Sequence, residues 1–117
     1  MIAHKTQTSF ASQEYENKGR VARCEKFLAD MQRIVPWTAL LAVIEPHYPK
    51  GERGRPPIGL ERMLRIYFLQ QWYSLADESL EDSLYDINSL RKFVDIDLGR
   101  EPIPYAATLL KFRHLLE

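Results

Sequence analysis

Between Gly59 and Ser74 the chain reads LERMLRIYFLQQWY, a run with no proline or glycine in which Leu60, Met63, Leu64, Ile66, Tyr67, Phe68, Leu69, Trp72 and Tyr73 cover most of a helical wheel. A helix that is apolar on nearly every side must be buried, so it has to be the element around which the others pack. Its charged residues, Glu61, Arg62 and Arg65, gather near its start and direct that end toward solvent or a polyanion. The 117 residues suffice for one such core and are too few for two.

The segments on either side read as shorter helices. Phe27, Leu28, Met31, Ile34 and Val35 recur at helical spacing from Arg23 until Pro36 stops the run. Leu40, Leu41, Val43 and Ile44 form a second short helix from Trp37, closed by Pro46. Asp77, read as an N-cap, opens an acidic surface helix with Leu80, Leu84 and Ile87 on one face, and Asn88 or Ser89 caps another that packs Leu90, Phe93 and Val94. After the loop DLGREPIP, YAATLLKFRHLLE is helical, with Leu109, Phe112, Leu115 and Leu116 along one side and Ala107, Lys111 and His114 opposite. The fold class expected is all-α, a small bundle of five or six short helices with a helix-turn-helix-like portion at residues 77–94. Residues 1–22 show no apolar stripe and read as a polar, flexible arm; residues 23–117 form the helical domain.

Charge is informative by where it lies. Sixteen Lys and Arg balance sixteen Asp and Glu, which excludes a strongly basic nucleic-acid wrapper and an acidic disordered tail. Residues 1–59 nevertheless carry net +3 and residues 60–117 net −3. Much of the positive charge lies in HYPKGERGRPPIG, residues 47–59, a loop by its prolines and glycines. Lys50, Arg53 and Arg55 of that loop, held near Arg62 and Arg65, would make a compact cationic patch suited to phosphate. Arg91 and Lys92 at the start of a recognition-type helix, and Lys111 on the last helix, complete the candidate DNA-binding set. The plainer reading of the loop, cations that keep a protein soluble, stands beside this one.

No catalytic motif is visible. GxGxxG, GxxxxGK[ST], HExxH and GxSxG are all absent. Asp95, Asp97 and Glu101 could in principle hold a magnesium ion, but solvated acids at a helix end explain them more simply. Cys24 is the single cysteine, without a histidine nearby in sequence, and points to a reducing, cytoplasmic compartment. His114 gains no role from its position. The longest apolar run is too short for a bilayer, so no membrane partner is expected.

Three strings, FLADMQRIVPW, IEPHYPKGERGRPPIGLERMLRIYFLQQWYSLADESLEDSLYDI and TLLKFRHLLE, closely resemble the amino-terminal domain of bacterial insertion-sequence transposases of the InsH type (IS-five family). The likeness covers nearly the whole chain, QTSFA in the arm included. In that family the amino-terminal helices handle DNA-end recognition and protomer association, and a following RNase-H-like domain supplies three acidic residues for two metal ions. The resemblance therefore implies a piece truncated before the catalytic domain, with no catalytic residue, no metal site and no cofactor of its own. Its implied partners are the terminal inverted repeats of an insertion sequence and a second copy or a full-length transposase. The alternatives are an interaction module that pairs with the full-length enzyme and inhibits it, and a gene remnant without function. One departure stands out: where the family reads closer to PDATTLL, this chain has Tyr105 and Ala107, which removes two polar groups from a helix start.

Overall fold

Pro36, which cannot donate a backbone hydrogen bond, marks the principal boundary of the chain. The computed structural model describes the backbone of residues 2–49 and 59–117, and the side chains of residues 10–49 and 59–117. It divides into two units, Met1–Val35 and Pro36–Glu117. The described residues form six α-helices and one short 3-10 turn, with no strand, which is the expected all-α class.

The first unit is one helix, α1 (Ile2–Ile34), of 33 residues. The arm expected over residues 1–22 and the helix expected from Arg23 are thus a single element. The difference has a simple cause. Helix formation needs no apolar stripe, and the proline-free run rich in Ala, Gln, Glu, Lys and Arg loses little side-chain freedom when it coils. Phe10, Tyr15 and Val21 stand 69%, 81% and 50% exposed along it.

The second unit comprises α2 (Trp37–Ile44), the 3-10 turn Glu45–His47, α3 (Leu60–Tyr73), α4 (Asp77–Asp86), α5 (Asn88–Val94) and α6 (Ala106–Leu116). Pro36 and Pro46 sit where the sequence places them, before α2 and just after it. As expected, α3 is central: it packs against α2, α4, α5 and α6 and buries Met63, Leu64, Ile66 and Leu69. Leu80 and Leu84 of α4, Val94 of α5 and Leu109 and Phe112 of α6 close over it. Ile96 and Ile103 of the connection between α5 and α6 are buried as well, Ile103 within the stretch DLGREPIP read as plain loop. Ile87, expected on the inner face of α4, instead ends that helix and is exposed.

Helix ends correct the sequence reading in detail. Ala76 occupies the N-cap of α4 and Ile87 that of α5, so Asp77 and Asn88 each begin their helix one position later than a cap. Two helices close on a left-handed residue that is not glycine. Ser74 (φ 52°) ends α3, with the Leu75 amide bonded to the Gln70 carbonyl, and Asp95 (φ 62°) ends α5, with Ile96 bonded to Arg91. Among the described residues, no single helix is long and apolar enough to cross a membrane.

Candidate nucleic-acid interface

The last carbonyls of a helix lack intrahelical donors and sit at the negative end of its dipole, so a nearby guanidinium is drawn to them. Three of the arginines read as phosphate ligands meet that need. Arg62, near the start of α3, donates from Nε to the Val94 carbonyl (3.3 Å), from Nη2 to the Asp95 carbonyl, and from Nη1 to the Glu101 carboxylate. One turn on, Arg65 donates from Nη1 to the Phe93 carbonyl (3.1 Å) and lies against Glu61 (3.3 Å). Together they hold the carboxyl end of α5. Arg91, on α5, turns back on α4 and donates to the carbonyls of Leu84 (2.8 Å) and Tyr85.

Arg65 is 7% exposed, a depth that a charge tolerates only when its donors and its flat faces are both engaged. Its guanidinium carbon lies 4.5 Å from the centre of the Trp37 ring and 4.9 Å from that of Phe93. Trp37 in turn meets Phe68 edge-on at 5.4 Å, and Phe68 stacks on Trp72 at 5.3 Å. Arg65 thus knits α2, α3 and α5. Its orientation is interior.

The remaining candidates separate from these. Lys92 and Lys111 are exposed. Lys50, Arg53 and Arg55 lie outside the described residues. The joint between α4 and α5 is the single residue Ile87, shorter than the three or four residues of a helix-turn-helix, and α5 itself is seven residues long.

Comparison with known protein families settles the lineage. A family model described as Transposase domain (DUF772) matches residues 14–115. The chain belongs to that family. No solved structure matches it.

Within this transposase domain, the three acids weighed for magnesium serve local structure. Asp95 supplies the left-handed end of α5, Asp97 Oδ1 accepts from the Gly99 amide at 2.9 Å, and Glu101 pairs with Arg62. Among the described residues, no group of three or more His, Cys, Asp and Glu is placed to hold a metal ion. Cys24 is half-buried and His114 exposed.

Two polar links of the transposase domain escaped sequence reading. Asp77 accepts from Gln70 Nε2 (2.8 Å) and from Arg113 Nη2 (3.0 Å), tying α3, α4 and α6 at one point. The bond from Arg113 holds the Asp77 carboxyl below its ordinary range, with Gln70 adding to the effect, and Asp77 raises Arg113 in return. Glu81 Oε1 accepts from the Ala106 amide at 2.6 Å. That carboxylate stands at the positive end of α6 and supplies what Tyr105 lacks. Neither link leaves a signal in sequence spacing, because the partners lie 36 and 25 residues apart. Burial raises the Tyr48 hydroxyl above its ordinary range, beside Phe112 at 5.9 Å.

Proposed function

We propose that this domain serves transposition by engaging the ends of insertion-sequence DNA and by helping protomers associate, as its resemblance to InsH-type transposases implies, and that it contributes no catalytic acid. The observation that carries the reading is the transposase-domain match over residues 14–115. The bonds within the second unit bear on which cations are open to a phosphate. A guanidinium whose Nε and both Nη atoms are already donating, as at Arg62, has little left for a phosphate. The cations this reading favours for DNA are Lys50, Arg53 and Arg55 with the exposed Lys92 and Lys111, and Arg91, which donates from Nη1 alone, stays among the candidates.

The test is fluorescence anisotropy with a labelled terminal inverted repeat and a scrambled duplex across a salt series. Preference for the repeat that persists at physiological salt is the expected result. Arg53→Ala with Arg55→Ala should weaken binding to both duplexes and flatten the salt dependence by about one unit of slope for each phosphate no longer neutralised. Equal binding by parent and variant would remove the loop from the interface. Equal, salt-sensitive binding to both duplexes would remove end recognition.

A further inference from the structure

We infer that the exposed face of α1 from Phe10 to Val21 pairs antiparallel with the same face of a second copy. The proposal rests on the protomer-association part of the reading above and assigns it a surface. Phe10, Glu14, Asn17 and Val21 follow one another at intervals of four, three and four residues, which places them on a single stripe of the helix. All four are exposed, as is Lys18 beside them. Phe10 and Val21 are large apolar side chains standing 69% and 50% open.

The order of residues on this stripe selects the occupant. About a two-fold axis between Tyr15 and Glu16, an antiparallel second helix sets its Val21 on Phe10 and its Phe10 on Val21, burying an apolar layer at each end. Between those layers Glu14 faces Asn17 and Lys18 of the second copy, an acid meeting an amide and a cation, and symmetry repeats the contact. A parallel arrangement in the same register sets Glu14 against Glu14, a like-charge contact. Charge complementarity thus favours a second copy and fixes its direction. With two apolar layers the contact is small, so the association is weak and depends on concentration.

Sedimentation equilibrium of the full chain up to millimolar concentration tests the pairing. The parent chain is expected to pass from monomer to dimer, and Phe10→Ala with Val21→Ala to weaken the dimer by about tenfold or more while the far-ultraviolet circular dichroism is retained. Glu14 and Lys18 are also one turn apart within a single helix, so charge reversal needs a control that separates the two effects. Glu14→Lys and Lys18→Glu should each stay monomeric alone, and their equimolar mixture should dimerise, since only across two chains do the opposite charges meet. A parent chain that stays monomeric overturns the pairing, as does an apolar double variant that dimerises like the parent or a mixture that stays monomeric. The DNA titration run on the same samples keeps the two readings apart. A monomer that prefers the inverted repeat overturns the pairing alone, and a dimer indifferent to the repeat overturns DNA-end recognition alone.

Discussion

Helices α1 and α3 are both continuous, yet one is 33 residues of mostly exposed polar chain and the other 14 residues sunk in the core of its unit. The first is built from residues that coil readily, whereas the second is held by what surrounds it. A substitution in α3 should therefore reach every helix of the second unit, and one in the amino-terminal half of α1 should stay local.

The largest effect is expected at Leu69, which is fully buried: Leu69→Ala should cost the second unit about 2–5 kcal/mol in denaturant unfolding, while Phe10→Ala changes it by under about 0.5 kcal/mol. Comparable losses at the two sites would break the contrast. Next comes Arg65→Lys, which keeps the charge but cannot fill the flat space between Trp37 and Phe93, with an expected loss of about 1–3 kcal/mol. A lysine variant as stable as the parent would mean that charge alone is what the site needs.

Acid should come next. Asp77 has its carboxyl held below the ordinary 3.8, so the stability it contributes is present above that value and lost as pH falls through its lower folded-state value. Asp77→Asn should flatten the acid limb of the thermal-unfolding profile. The smallest change is a gain: Gly19→Ala should raise the stability of α1 by about 0.8–1 kcal/mol, read as added helicity, with unfolding of the second unit unmoved. The new methyl meets only the mobile end of Arg23, at 3.2 Å.

The same contrast explains which features are legible in sequence. The apolar wheel of α3 and the stops at Pro36 and Pro46 are local features, and the structure places them where sequence puts them. The part of α1 from Phe10 to Ala22 escapes such a reading because an apolar stripe reports burial, and those residues bury little. Asp77 and Asn88 have capping chemistry one position away from where capping happens, since Ala76 and Ile87 adopt the extended backbone that starts each helix. Arg62, Arg65 and Arg91 have a structural use that sequence does not display. A guanidinium recognises a phosphate oxygen and a helix-end carbonyl by the same geometry, and only the folded chain shows which acceptor it has.

The arginines of α3 also tie together the fates of two helices. Seven residues are too few for a helix to persist in water unaided, and the last carbonyls of α5 find their donors on Arg62 and Arg65. Undocking α3 would strip those donors away, so α5 has no independent route to its native form. In hydrogen exchange the amides of α5 and α3 should open as one cooperative foldon, and folding should proceed with α5 forming only as α3 arrives.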